Sequence, residues 1–393
     1  MINEMQSGLI ALIRSALSGQ AEILPQGFDL ASIVPLIRRH HISVIAFCGA
    51  VNCGISPASP AVETLLSDVG VHFSICEGQQ NELKALTEAF EQEGIDYILL
   101  KGAVIKPMYP RSEMRAMSDA DILIRTEQQE EASKVMEKLG YQKGVESDHE
   151  LHWDKPALHV ELHKRLMPSY DTLYCKYFSD VWNSVKPVAE GKHCYQMNPD
   201  DFFLYLFTHF AKHYRDGGIG LLQLCDLQIY RDKNSLDEEL LLKELKKLHL
   251  DVFYRNVLET LDAIFNEKEQ TEITATILET VCDSGAYGRQ EKKQLSWATR
   301  NSKKSDDAKK IKHRMVLEMI FLPFWRMRIK YPILNKLPFL LPIMWVVRWV
   351  EALLFRTKNV KQQAKQMRKM TTEEILEHQG KLNFVGLEFE LGE

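Results

Sequence analysis

The chain has 393 residues, 45% of them hydrophobic and 9% aromatic, with a formal net charge of -5. That length admits two or three domains, and the apolar share fills an ordinary globular core, which excludes a disordered chain. The seven cysteines are odd in number, scattered and without a CxxC pair, which excludes a zinc ribbon and fits reduced thiols in a reducing cytoplasm.

The first residues, Met1-Ile2-Asn3-Glu4-Met5, hold no basic stretch ahead of an apolar one, so no signal peptide is expected. Residues 1–75 read as helical. Leu9, Leu12, Ile13 and Leu17 recur at helical spacing, as do Ile33, Leu36 and Ile37 ahead of Ser43-Val44-Ile45-Ala46-Phe47. Pro57 and Pro60 mark a break. A helix is predicted from about Glu63, with Leu83, Leu86, Ala89 and Phe90 on one face, ending at Gly94. Tyr97-Ile98-Leu99-Leu100 then reads as a short buried strand running into Lys101-Gly102 and a short helix, Ala103 to Met108. Asp121-Ile122-Leu123-Ile124 is a second strand, and Gln128 to Leu139 an amphipathic helix closed by Gly140. A third strand can start at Tyr141-Gln142. Leu158-His159-Val160-Glu161-Leu162-His163 alternates and reads as a fourth. Strands interleaved with helices imply a small mixed domain over residues 76–200. From Asp200-Asp201 the pattern is helical again, through Phe203, Leu206, Phe207 and Phe210. It breaks at Gly217-Gly218 and resumes at Leu221–Tyr230, Leu240–Leu248 and Val252–Phe265. Asn301 to Lys310 reads as a linker.

Residues 308–370 carry 15 Lys or Arg against Glu318 and Glu351, a local net of +13, so the rest of the chain sums to -18. Such a segment either docks on the acidic body of the same molecule or meets an external anionic partner, nucleic acid or a membrane surface. The apolar run Pro338 to Phe355 holds Arg348 and Glu351 inside it and begins with two prolines, so it is not read as a membrane span. Trp325, Trp345 and Trp349 with basic flanks would suit peripheral membrane contact through 308–370. Packing of these rings within the protein is the plainer reading.

The residues able to do chemistry cluster between the first and fourth strands. Asp119 and Asp121 lie two apart at a strand start, so both carboxylates leave one face while Ala120, Ile122 and Ile124 point behind. Two carboxylates held together repel unless a cation sits between them, and Mg²⁺ prefers oxygen donors of this kind beside phosphates. Glu161, sharing a face with His159 and His163, could add a third carboxylate. Lys101, Gly102 and Arg115 are read as phosphate-side residues: the glycine allows close backbone approach and the cations neutralise charge. Arg111 is read as a solvated loop residue. His149, His152, His159 and His163 raise a zinc cluster, but His149-Glu150-Leu151-His152 lacks the two residues after the glutamate that a zinc-protease helix needs. His209 and His213, four apart, share a helix face and could form an acceptor side, against the plainer reading of structural histidines.

The runs Leu99-Leu100-Lys101-Gly102, Tyr109-Pro110, Arg115, Asp119-Ala120-Asp121-Ile122-Leu123-Ile124, Leu139-Gly140-Tyr141 and Val160-Glu161-Leu162-His163 together resemble the uncharacterised nucleotidyltransferase family of the polymerase-β-like superfamily. The match covers about residues 95–165 well and reaches more weakly to His209, His213 and Leu224-Cys225-Asp226-Leu227. The resemblance implies an α+β fold, a small mixed-sheet nucleotidyltransferase core flanked by N-terminal and C-terminal helical regions. It also implies a metal-dependent transfer of a nucleotidyl group from a nucleoside triphosphate such as ATP to a hydroxyl or phosphate acceptor. Asp119 and Asp121 would be paired Mg²⁺ (or Mn²⁺) ligands, Glu161 the third ligand and activator of the acceptor, and Gly102 the glycine facing the phosphates. Ala103 stands where the superfamily has Ser or Gly, and 16 residues separate Gly102 from Asp119. The missing hydroxyl motivates the alternative of a nucleotide-binding regulatory module without turnover. The expected divisions are 1–75 helical, 76–200 core, 201–300 helical and 308–393 a basic, partly apolar segment and tail.

Overall fold

The computed structural model describes residues 4–286, 288–300, 308–355 and 371–387. The chain divides into two compact units, one of Met1–Ala211 with Ile219–Tyr287 and one of Lys212–Gly218 with Gly288–Glu393.

The first unit opens with helices α1 (Glu4–Ser18), α2 (Leu30–Arg39), α3 (Ser43–Asn52) and α4 (Pro60–Glu93). Helix α4 begins at Pro60, ahead of the expected Glu63 and at a proline read as a break. Ser59 accepts from the Val62 amide, and Pro60 occupies the first turn, where its missing N–H costs nothing. It ends at Gly94, whose φ of 69° is the left-handed geometry that only glycine takes freely. The boundary expected at residue 75 falls inside α4, and that at 200 falls in the first turn of α8 (Pro199–Asp216), so neither interrupts the secondary structure.

A seven-stranded mixed sheet follows. Its strands are β1 (Tyr97–Leu99), β2 (Asp119–Ile124), β3 (Gln142–Glu146), β4 (Glu150–Lys155), β5 (Leu158–His163), β6 (Lys186–Pro187) and β7 (Cys194–Gln196), in the spatial order β3-β4-β5-β2-β1-β7-β6. Strands β4, β6 and β7 were not expected from the sequence. Side-chain alternation divides the sheet into two unlike faces. On one, Ala120, Ile122, Val160, Leu162, Leu151 and Trp153 are fully or almost fully buried. They pack with Leu86 and Phe90 of α4 and with Ala132, Val135 and Met136 of α6 (Gln129–Lys138). The other face carries the acids and histidines.

Helix α5 (Lys101–Ile105) starts at Lys101 rather than at the expected Ala103. Helices α7 (Thr172–Tyr177), α9 (Leu221–Lys233), α10 (Glu238–Lys247), α11 (Asp251–Phe265) and α12 (Glu272–Ser284) complete the unit. An aromatic cluster of Phe203, Phe207, Phe210, Phe253 and Tyr254 joins α8 to α11.

In the second unit, α13 (Gln290–Arg300), α14 (Ala308–Ile320) and α17 (Thr372–Phe384) enclose Ala298, Ile311, Met315 and Ile375. Helices α15 (Phe324–Lys330) and α16 (Leu341–Phe355) lie between α14 and α17 in the chain. The Trp345 and Trp349 indoles donate to the carbonyls of Leu322 and Ile320, 2.8 and 2.7 Å away. Phe339, Ile343, Val346, Val350 and Leu354 are exposed. Among the described residues, no helix is long and apolar enough to cross a membrane. Most of the expected linker at 301–310, and residues 356–370 of the basic segment, lie outside the described residues. All seven cysteines are free.

Candidate active site

Strands β2 and β5 pair in parallel with Asp119 opposite His159, Asp121 opposite Glu161 and Leu123 opposite His163. Directly paired residues project to the same side, so Asp119, Asp121, Glu161, His159 and His163 share one face. Strand β4 runs antiparallel on the far side of β5 and sets Glu150 opposite His163, His152 opposite Glu161 and Asp154 opposite His159. The face therefore holds five acids and three histidines in three adjacent strands, backed by the apolar layer behind.

Asp121 is its centre. It is 4% exposed, and its Oδ1 meets the Lys101 ammonium at 2.5 Å and the His163 Nε2 at 2.9 Å. His163 Nε2 also stands 3.6 Å from Glu161 Oε2. Burial pushes the Asp121 carboxyl up, but Lys101 and His163 outweigh it and hold it well below the usual carboxylate range. Burial opposes charge on Lys101 as well, yet Asp121 keeps the ammonium far above its ordinary value. His163 follows the same logic: burial lowers it, while hydrogen bonds to Asp121 and Glu161 lift it to about 9. At Asp119 the charges of Lys101 and Arg115 are outweighed. Burial and the charge of Asp121 raise its carboxyl to about 6.

Lys101 and Gly102 follow β1 at the start of α5. The residue in left-handed geometry is Lys101, with φ 41°, a conformation that costs a side chain about 1 to 3 kcal/mol and that its ion pair with Asp121 offsets. At Gly102 a Cβ would lie 2.9 Å from Arg115 Nη1 and 3.3 Å from Met117 Cγ, so glycine is needed there to admit the arginine. Helix α5 spans only five residues.

Arg115, expected on the phosphates, pairs with Asp226 of α9. Its Nη2 and Nε donate to the two oxygens of Asp226 at 2.8 and 3.2 Å, and its Nη1 donates to the Ala116 carbonyl at 2.6 Å. Tyr109 adds a hydroxyl to Asp226 at 2.8 Å. This buried network ties the segment ahead of β2 to α9. His209 lies on α8 with its ring 6.1 Å from that of Tyr205, while His213 belongs to the second unit.

Tyr205 escaped the sequence reading because it sits in an aromatic run that reads as core. It is fully buried, and its hydroxyl has no hydrogen-bond partner among the described residues. Burial, followed by the nearby charges of Lys101, Asp121, Glu161 and Glu150, sets its pKa, which is raised. A buried donor left unpaired costs about 1–3 kcal/mol, so its retention beside four charged groups is informative.

A family model described as uncharacterised nucleotidyltransferase matches residues 26–266. Comparison with curated proteins gives no match. Among solved structures, the solution structure of the antibiotic-resistance factor ANT(2'')-Ia, which reveals substrate-regulated conformation dynamics in that protein, aligns at 12% identity. The alignment covers 48% of this chain and 97% of that one, with a TM-score of 0.32, too low for the likeness to carry weight.

Proposed function

The chain belongs to the uncharacterised nucleotidyltransferase family and is a transferase, and from that premise we propose that its reaction runs on the face bearing Asp119, Asp121 and Glu161. The substrate is a nucleoside triphosphate such as ATP, the product a nucleotidylated hydroxyl or phosphate acceptor, and the leaving group pyrophosphate. One observation carries the proposal: the parallel register of β2 and β5 stands Asp121 beside Glu161, with Asp119 on the same face.

Three carboxylates from two neighbouring strands form an all-oxygen donor set, which suits a hard divalent cation such as Mg²⁺ or Mn²⁺. Asp119, Asp121 and Glu161 would hold it. When bound, such an ion neutralises charge developing on the transferred phosphoryl oxygens. The remaining work falls to side chains. Lys101, at the end of its reach to Asp121, shares its charge between that carboxylate and a phosphate. Glu161 accepts the proton from the acceptor hydroxyl as its oxygen bonds to the α-phosphorus and the bond to the pyrophosphate oxygen breaks. The Tyr205 hydroxyl donates to the substrate the hydrogen bond it does not make among the described residues. His209, beside Tyr205, lies on the acceptor side.

Calorimetry with Mg²⁺ and each nucleoside triphosphate, paired with a pyrophosphate-release assay across hydroxyl and phosphate acceptors, tests this. Wild type binds a triphosphate and Asp119→Ala/Asp121→Ala does not. Equal binding by both proteins overturns the assignment. Binding with no pyrophosphate released across a broad acceptor set would favour a regulatory module instead.

A further inference from the structure

Beside the three carboxylates lies a second constellation of different chemistry. His152 on β4 and His159 on β5 bring Nδ1 and Nε2 to 3.0 Å, and Glu161 Oε1 stands 3.6 Å from the first and 4.0 Å from the second. A point equidistant from these three atoms lies about 2.1 Å from each, the length of a zinc–imidazole bond. The remaining nitrogens are already spoken for. His159 Nδ1 meets Asp154 Oδ1 at 2.6 Å, and His152 Nε2 meets Glu150 Oε1 at 3.3 Å. A carboxylate can only accept, so each of those nitrogens donates to it, and the second nitrogen of each ring faces the other ring and the Glu161 carboxylate. A cation at the centre of these three atoms would join all of them. Carboxylates behind ligating histidines are also the usual outer support of a metal site.

We propose that His152, His159 and Glu161 bind a zinc-class divalent ion, with Asp154 and Glu150 orienting the two imidazoles and water completing the shell. Two imidazoles and one oxygen favour zinc, cobalt or nickel over magnesium, so this site is chemically distinct from the all-oxygen set beside it. The two sites meet at Glu161, whose Oε1 faces the histidines while its Oε2 faces His163. The histidine side chains are 23% and 31% exposed, which leaves an entry path from solvent. The proposal does not depend on nucleotide binding.

The test uses the full chain stripped with a chelator, then titrated with Zn²⁺ against a chromophoric competitor, and with Co²⁺ followed by visible absorption. Wild type takes up about one Zn²⁺ and shows intense low-coordinate Co²⁺ bands. His152→Gln/His159→Gln, which keeps bulk and polarity on a partly exposed strand face, loses both while keeping its circular dichroism. Asp154→Asn weakens zinc roughly 10- to 100-fold, as loss of a supporting carboxylate does. Asp119→Asn/Asp121→Asn keeps its zinc. Calorimetry with Mg²⁺ and triphosphate on the histidine variant reads the neighbouring site separately, so failure of one assignment is distinguishable from failure of the other. Zinc binding equal in wild type and the histidine variant overturns the proposal, as does zinc that vanishes with the two aspartates and survives without the histidines. Absence of zinc uptake by wild type also overturns it and leaves a shared proton between the imidazoles as the cation.

Discussion

Replacing Arg115 with methionine separates an anchor from a phosphate ligand. The guanidinium and the Asp226 carboxylate form a two-pronged pair with side chains 11% and 3% exposed, so solvent does little to screen it. Both partners have surrendered hydration, and the pair joins the segment before β2 to α9 across 111 residues of sequence. In Arg115→Met the Asp226 charge stays buried with only the Tyr109 hydroxyl of its described partners. Breaking a buried pair from one side costs about 3–5 kcal/mol. In Arg115→Met/Asp226→Leu no orphan charge remains, and replacement of a whole buried pair by apolar groups is often near neutral. The double variant is therefore expected to be more stable than Arg115→Met alone, with a coupling energy of about 2–3 kcal/mol. Urea unfolding followed by circular dichroism reads the stabilities, and calorimetry reads triphosphate affinity, which the double variant keeps within a few-fold. If Arg115→Met unfolds like wild type while triphosphate affinity falls by tenfold or more, the guanidinium belongs to the phosphates and the anchor reasoning is wrong.

Three further outcomes are expected. His40 accepts the Leu221 amide at Nδ1 and donates from Nε2 to the Cys282 carbonyl, so it is held neutral; burial first, then Arg39 and His41, lower its pKa to about 4 from 6.5. Between those values the unfolded chain binds the proton and the folded one does not. Its contribution, about 3 kcal/mol, is thus complete above pH 6.5 and lost as pH falls toward 4; His40→Asn should flatten this part of the stability–pH curve, and an unchanged slope would refute the assignment. Gly49 lets α3 touch α1, since a Cβ there would lie 2.1 Å from the Leu12 carbonyl oxygen; Gly49→Ala should cost about 3 kcal/mol or more in urea unfolding. Tyr205→Phe removes a hydroxyl with no partner among the described residues, so stability should hold or rise by about 1 kcal/mol while pyrophosphate release falls; a loss of stability with unchanged turnover would show the hydroxyl to be structural.

Much of this arrangement could be read from residue order alone, for identifiable reasons. Helix α4 declared its end through Gly94, and β1, β2 and β5 declared themselves through short apolar or alternating runs. Two-residue alternation sufficed to put Asp119 and Asp121 on one side and Ala120, Ile122 and Ile124 on the other. Strand β4 stayed hidden because Leu151 and Trp153 are its only buried positions and its polar residues outnumber them. His152 on it, with His149 just ahead of it, invited comparison with a helical zinc motif, whereas His152 lies in a hairpin strand. Strands β6 and β7, of two and three residues, fall below the length at which any period can register. Asp226 sits in an apolar helix whose spacing gives no hint of a partner more than a hundred residues away. The positive φ at Lys101 arises from the turn between β1 and α5, and no local composition marks it.

The polar face is held in place by the layer behind it. A one-residue slip of β5 against β2 would turn Glu161 into the layer occupied by Val160 and Leu162 and bring those two residues to the face of the acids. That exchange would bury an unpaired carboxylate at a cost of several kcal/mol and forfeit about 1.5–3 kcal/mol of burial for each displaced aliphatic side chain. The contacts on the polar face itself are weaker as a register device, because Lys101 and His163 can follow Asp121 through rotamer changes, whereas the rigid, interdigitated layer of Ala120, Ile122, Val160 and Leu162 cannot. The meeting of Asp121 and Glu161 is therefore set by apolar packing on the opposite side of the sheet. Substitution of any one acid should consequently alter binding while leaving the strand register intact.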